Sequence, residues 1–436
     1  PVRREPAVMS SLRIVIVGGG IGGLVTALSL HGLGPDSDLD VTVLEAVPEV
    51  KPLGVGINLL PHAVRELDAL GLLPTLEASG ITPSTLAYFS AHGQLIWDEP
   101  RGRAAGYAWP QLSIHRGELQ VILHRAARDR LGPERVLTGR PLDHVEHLPD
   151  STVRCHLTGH PPIDADIVVA ADGIHSTIRR LRHPGEGMPR WNGALLYRGT
   201  VDTAPILDGR TMVWAGHPDQ KFVAYPILDL PDGSQRINFI AEYRTHDRQL
   251  AEREDWNRRG DLDDIAPRFT DWVFDWVDVP ALLHASPGMF VFPMVDRDPL
   301  DSWTEGRVTL LGDAAHPMYP IGSNGASQAI LDARVLTGCL RSHPTDPDTA
   351  LAVYESHRRP ATGAIVLANR QLGPEAPMQL VHERAPDGFD SIDDVITRDE
   401  ILAVTEGYRR TAGFALEALA DGRSLADADY PTAAHS

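Results

Sequence analysis

Two hydrophobic periods alternate along the chain. Residues 13–17 read as a strand in which Arg13 leads a short unbroken apolar run, residues 14–17, the kind that is buried on both faces of a parallel sheet. A glycine-rich turn follows. Residues 21–30 then place apolar side chains all round a helix, and residues 41–44 repeat the buried-strand pattern. Strand, helix, strand in that order opens a βαβ unit. Helical spacing recurs over residues 64–70 and 116–130, and a strand over residues 165–171 runs into Asp172-Gly173. Between about residues 191 and 292 the texture changes. ALLYRGTV, TMVWAGH, KFVAYPI and RINFIAEY alternate as antiparallel strands do, around a charged helix. Residues 307–311 return to the buried pattern. From residue 351 the chain reads as mostly helical, interrupted at Gly373-Pro374 and at Pro377. The expectation is an α/β fold: a parallel-sheet domain, an inserted mainly antiparallel sheet and a helical C-terminal segment.

Composition narrows the classes. With 436 residues the chain exceeds one small core, so two packed domains and an appendage are expected. Its net charge of −19 repels phosphate backbones and anionic membrane surfaces, which argues against nucleic-acid or membrane partners. Residues 14–30 imitate a signal peptide or membrane span, but five glycines near their start and a length below the usual ~20 residues favour strand, turn and helix. Cys155 and Cys339 are the only cysteines, with no CxxC or Cys/His cluster. That disfavours disulfides and metal sites and fits a reducing cytoplasm. Residues 1–8 precede Met9 without pattern and read as a leader.

Three separated motifs carry the chemistry. In VGGGIGGL, Gly18, Gly20 and Gly23 have GxGxxG spacing between two strands, the Rossmann-like arrangement for a dinucleotide. The first glycine makes the turn, the second admits pyrophosphate and the third lets helix and strand close up. Glu45 ends the second strand, where a carboxylate either accepts ribose hydroxyls or merely closes a surface strand. In ADGIHSTIRR, Asp172, Ser176 and Arg179 have DGxxSxxR spacing, which suits a ligand-facing turn or equally an N-capped helix with its Arg in solvent. In LLGDAAHPMYPIGSNGASQAILDA, Asp313 ends a strand and suits a polyol hydroxyl. Gly322 and Gly325 let a planar ring lie against the main chain, and a helix opening near Ser323 points its N–H groups at that ring. His316 reads as a packing or capping histidine, with no acid partner or metal companion spaced for it.

Together GxGxxG, DGxxSxxR and GDAAHxxxPxGxxG resemble the single-component FAD-dependent aromatic hydroxylases, flavoprotein monooxygenases similar to p-hydroxybenzoate and salicylate hydroxylase. MYPIGSNGASQAILDA, LLYRGT, MVWAGHPDQKFVAYPI and YESHRRPATGAIVLANR resemble the phenazine-1-carboxylate hydroxylase branch. The resemblance implies an FAD-binding part in three pieces (9–80, 111–185, 291–355), substrate-domain strands at 81–110, a substrate-binding sheet at 186–290 and a C-terminal segment at 356–436. Gly18, Gly20, Ile21, Gly22, Gly23, Glu45 and Ala46 would hold the ADP half of a non-covalent FAD. Arg116 and Gln120 would lie near pyrophosphate and ribityl chain, with Gly312 and Asp313 on the ribityl. Gly56 and Ile57 would face the flavin, as would Pro320, Gly322, Ser323, Asn324, Gly325 and Ala326. Asp172 and Arg179 are implicated with FAD and reductant alike. NADH or NADPH would bind transiently, since only one dinucleotide fingerprint exists.

By the same resemblance, O₂ reacts at flavin C4a, and the hydroperoxide hydroxylates a small aromatic or N-heteroaromatic ring, with or without decarboxylation. Trp214, His217, Phe222 and Tyr225 are candidate substrate contacts, although sheet-core packing explains such aromatics too. Arg198, Met318 and Tyr319 are candidate catalytic residues, Arg198 being open to a purely structural role. The protein is expected as a monomer or homodimer. Three alternatives stay open: an FAD-linked oxidase or dehydrogenase without oxygen insertion, a halogenase (disfavoured because WVFDWVDVP lacks WxWxIP spacing), and a binding protein that lost its flavin.

Overall fold

The computed structural model describes residues 11–245 and 258–432. The chain enters as strand Leu12–Val17 (β1), turns through glycine into helix Ile21–His31 (α1) and returns as Leu39–Leu44 (β2). Helix Arg116–Leu131 (α2) and strand Ile167–Ala170 (β3) follow. Next come Arg190–Thr203 (β4), Thr211–His217 (β5), Gln220–Asp229 (β6), Gln235–Arg244 (β7) and Met289–Asp296 (β8). Val308–Leu310 (β9) leads to helices Gly325–Ser342 (α3), Pro347–Arg370 (α4), Ala376–Arg384 (α5) and Arg398–Thr411 (α6).

In the first sheet β1 lies between β2 and β3, parallel to both. Val136–Leu137 extends it beyond β2, β9 beyond β3, and Thr304–Glu305 is an antiparallel edge. Ile14, Ile16, Val43, Val168 and Leu310 are fully buried. Helix α1 is buried from Ile21 to Leu30, packed among β2, α2 and α3, which explains its apolar circumference. The strand expected over residues 165–171 is two strands divided at Asp166. Asp166 accepts the Arg13 amide at 2.8 Å and pairs with its guanidinium at 3.0 Å. On one side His160–Ala165 belongs to a small antiparallel sheet, and on the other β3 joins the parallel one.

The second sheet runs Arg259–Gly260, β8, β4, β7, β6, β5, Thr85–Phe89, Leu95–Pro100, antiparallel except where β5 meets Thr85–Phe89. One face covers a core that includes Phe222, Phe239 and Phe269. The other carries Trp214 and Tyr225 together with Met378, Val381 and Ile401 from α5 and α6. The C-terminal segment therefore packs on the inserted sheet. The charged helix expected within the insertion falls on residues 246–257, outside the described residues. Pro377 does not interrupt α5: it sits in the first turn, where no N–H is needed. Among the described residues no helix is long and apolar enough to cross a membrane.

Candidate active site

The glycine turn after β1 separates what the chain needs from what a ligand would need. Gly18 has φ +111°, and a Cβ there would stand 2.3 Å from the Ala171 carbonyl oxygen. A Cβ on Gly23 would lie 2.0 Å from the Gly18 carbonyl oxygen, whereas one on Gly20 would meet nothing within 4 Å. The outer glycines thus serve the fold, and the middle one faces open space. Glu45 braces this turn, accepting the Gly19 amide at 2.7 Å and the Val47 amide at 2.8 Å. Each carboxylate oxygen has two lone pairs, so a ribose hydroxyl remains accommodated. Gln120 donates to the Gly19 carbonyl at 2.8 Å, Arg116 lies exposed one turn earlier on α2, and Ala46 is exposed beside Glu45.

The segment after β9 is bolted down by a residue absent from the sequence reading. Asp332, fully buried on α3, accepts the Gly312 amide at 3.0 Å and contacts His316 Nε2 with the same oxygen. Its other oxygen accepts Arg358 Nε at 2.7 Å. His316 therefore does have an acid partner, one that lies sixteen residues on and meets it only because α3 folds back over the loop. Burial opposes the charge on Asp332, but His316 and Arg358 outweigh it and hold the carboxyl at about 2. So anchored, the loop turns Asp313 into a cavity, where it is exposed; enclosure by the surrounding chain pushes its pKa up.

Helix α3 begins at Gly325, two residues later than expected. A tight turn, Ile321–Ser323, precedes it, with left-handed φ at Gly322 (+69°) and Ser323 (+58°). Gly322 does not line the cavity, and a Cβ on it would fall 2.3 Å from the Tyr408 hydroxyl of α6, so its missing side chain makes room for Tyr408. Asn324 supplies no cap; its Nδ2 instead donates to Tyr408 at 2.8 Å. The first-turn N–H groups of α3 are thereby left without a side-chain cap where Gly325 and Ala326 line the cavity.

Arg179 is buried, not solvent-facing. It pairs with Glu186 and donates to the carbonyls of Ala314 at 3.0 Å and Ala315 at 2.8 Å, so it holds the Asp313 loop from behind. Asp172 accepts the Thr177 amide at 2.8 Å, and Ser176 caps the short helix Thr177–Arg182. Neither Asp172 nor Arg179 lines the cavity, although Ala171 and Gly173 do.

That cavity, of about 300 Å³, lies between the two sheets. Gly20, Ile21, Gly22, Arg116, Asp313, Gly325 and Ala326 line one side. Gly56, Ile57, Arg198, Trp214 and Tyr225 border it elsewhere, and Met318, Pro320, Ser323 and Asn324 close it. Arg198 Nη2 donates to the Gly56 carbonyl, while its buried Nε finds no partner among the described residues. Burial lowers the Arg198 pKa against the opposing pull of Tyr225, whose phenol burial pushes up to about 12.

Three sequence candidates stand elsewhere. Phe222 belongs to the core on the far face of the sheet: side chains alternate along a strand, so Phe222 and Tyr225, three apart, face opposite ways. His217 stacks on His382 at 3.7 Å between ring centres and does not line the cavity. Tyr319 packs against Leu196, Met294 and Ile321, one layer behind the lining. The same alternation brings in side chains the sequence reading missed: Lys221 and Val223 on β6, and Ile240 and Glu242 on β7. Glu375, from the turn Gly373–Glu375, joins them and has no sequence signal of its own.

A glycine turn with open space at its middle residue, a carboxylate facing the cavity and uncapped N–H groups at a helix mouth fit FAD. These features define a dinucleotide-type flavoprotein with its reaction chamber beneath an antiparallel sheet. The family model described as FAD binding domain matches residues 11–368, and the chain belongs to that family. It is 44% identical over 366 residues to the phenazine 1,6-dicarboxylic acid hydroxylase PhzS of Lysobacter antibioticus, covering 82% of this chain and 89% of that one. To the 3-amino-4-hydroxybenzoate 2-monooxygenase of Streptomyces cremeus it is 33% identical over 416 residues, covering 92% and 96%. Its fold matches a salicylate hydroxylase substrate complex (TM-score 0.74, 24% identity, 98% and 100% covered). It also matches Klebsiella pneumoniae HpxO complexed with FAD and uric acid (TM-score 0.71, 24% identity, 94% and 97% covered). The protein is an FAD-dependent monooxygenase of the hydroxylase class.

Proposed function

We propose that the protein hydroxylates a planar aromatic or N-heteroaromatic small molecule, with NADH or NADPH as a transient reductant and O₂ as co-substrate. The observation that carries this reading is the cavity itself: cofactor-binding main chain on one side, and an apolar sheet face with Trp214, Val223 and Ile240 on the other. Bound FAD supplies the electron transfer and the activation of O₂. The chain's own residues bind, orient and exclude water. Glu45, the glycine turn and Asp313 hold the dinucleotide. Arg198 and Tyr225 form a polar edge beside Gly56, and Met318 with the loop from Pro320 to Ala326 encloses the ring stack. The identity with a phenazine dicarboxylate hydroxylase supports a fused-ring acid as substrate. The net charge of −19 and the two buried free cysteines support a cytoplasmic protein that does not act on nucleic acid. The test is NADH and NADPH oxidation by the holoenzyme across aromatic acids under ¹⁸O₂. One ¹⁸O in the product is expected; oxidation of substrate without label would reassign the protein as an oxidase or dehydrogenase.

A further inference from the structure

One end of the cavity carries three ionisable side chains that hydroxylation alone leaves without a role. Lys221 Nζ lies 2.7 Å from Glu375 Oε2 and 3.1 Å from Glu242 Oε2, and all three side chains are at most 6% exposed. All three line the cavity. Lys221 and Glu242 face each other across β6 and β7. Glu375 arrives from the C-terminal segment, through a turn entered at Leu372 with φ +69°.

The alternation of the strands orders this wall. Lys221, Val223 and Tyr225 follow one another along the cavity face of β6, with Ile240 beside Val223 and Glu242 beside Lys221. The face is polar, apolar and polar in turn. At about 3.3 Å per residue, Lys221 and Tyr225 stand about 13 Å apart along the strand. Arg198 stands opposite Ile240 on the neighbouring strand, but its guanidinium bonds Gly56, whose amide is held by Asn238, the residue opposite Tyr225, so its charged head belongs to the Tyr225 end and the Lys221 end is the remote one. The apolar middle suits a flat ring system lying between them.

Charge then selects the substituent. One ammonium faces two carboxylates in a site largely shut off from water, so the cluster tends to carry negative charge or hold an extra proton. Burial, reinforced by Glu375 and opposed by Lys221, raises the Glu242 carboxyl. A ligand carboxylate here would add to the negative excess, whereas a hydroxyl, amino or ring N–H would donate to a carboxylate oxygen and add no charge.

We propose, resting on the aromatic-substrate reading above, that Lys221, Glu242 and Glu375 form a distal subsite selecting an elongated planar substrate with a neutral hydrogen-bond donor at the end remote from Arg198. The C-terminal segment then supplies a specificity residue to the chamber. The experiment titrates the yellow holoenzyme with 6-hydroxyphenazine-1-carboxylate and 6-methoxyphenazine-1-carboxylate, following the flavin spectrum. The hydroxy compound is expected to bind at least about tenfold more tightly. Glu242→Gln and Glu375→Gln should each reduce that preference to about threefold or less with FAD content unchanged. Equal affinities in the parent enzyme, or an intact preference in both variants, would overturn the subsite. If neither compound perturbs the flavin while other aromatic acids are hydroxylated, the subsite is overturned and the aromatic-substrate reading stands; if no aromatic acid takes up label from ¹⁸O₂, that reading falls and the subsite with it.

Discussion

Arg198 donates from Nη2 to the carbonyl of Gly56 at 2.9 Å, while Asn238 accepts the amide of the same glycine at 2.7 Å. One peptide segment bordering the chamber is therefore gripped by two neighbouring strands of the inserted sheet, β4 and β7. Arg198→Ala removes half of that grip and a polar edge of the chamber without touching the glycine turn. Turnover should fall at least about tenfold, about 1.4 kcal/mol of barrier, while flavin content stays at the parent level. Steady-state kinetics with a visible absorbance spectrum check it, and unchanged kcat would remove Arg198 from the catalytic machinery.

Gly18 and Gly20 should respond differently to the same small change. Gly18→Ala drives a methyl group to 2.3 Å from the Ala171 carbonyl oxygen at a left-handed φ, so the apoprotein itself should melt several degrees lower. Gly20→Ala meets no protein atom within 4 Å, so the apoprotein should melt normally while FAD affinity drops at least about tenfold. Thermal unfolding without FAD, followed by FAD titration, separates the two.

Tyr408 ties α6 to the cavity loop, bonding Asn324 and Asn369 at 2.8 Å each and the Ile321 carbonyl at 3.2 Å. Tyr408→Phe leaves these buried polar groups short of a partner and should cost about 1–3 kcal/mol in chemical denaturation.

Acid should loosen the loop around Asp313 through Asp332. The folded-state pKa of Asp332 is depressed from 3.8 to about 2, so its contribution to stability is present above pH 3.8 and is lost as pH falls through about 2. Asp332→Asn should be less stable at neutral pH and should flatten the stability profile across that window. Denaturation midpoints at neutral pH measure the first effect, and those followed from roughly pH 5 down to about pH 2, the interval over which the linkage acts, measure the second.

The parts legible in the sequence were those in which a local pattern suffices. Buried runs located β1, β2 and β9, and glycine spacing located the dinucleotide turn. What escaped depended on pairs far apart in the chain. His316 finds Asp332 only after α3 folds back, and Arg179 reaches the Ala314 and Ala315 carbonyls across 135 and 136 positions. Phe222 was misplaced although parity along β6 would have corrected it: starting from Tyr225, the inward positions are Val223 and Lys221. Glu375 was beyond reach, because no local signal tells which surface a turn will cover.

The neighbours β1, β3 and β9 in the parallel sheet come from residues 12–17, 167–170 and 308–310. During synthesis the first of these emerges long before the last, so the glycine turn leaves the ribosome without the strand that delivers Asp313. A nascent chain halted before residue 308 cannot assemble a cradle for the whole cofactor, however well its first βαβ unit forms. The complete flavin cradle is thus a late product of biosynthesis, closed only once the strand at residues 308–310 has joined its two earlier neighbours.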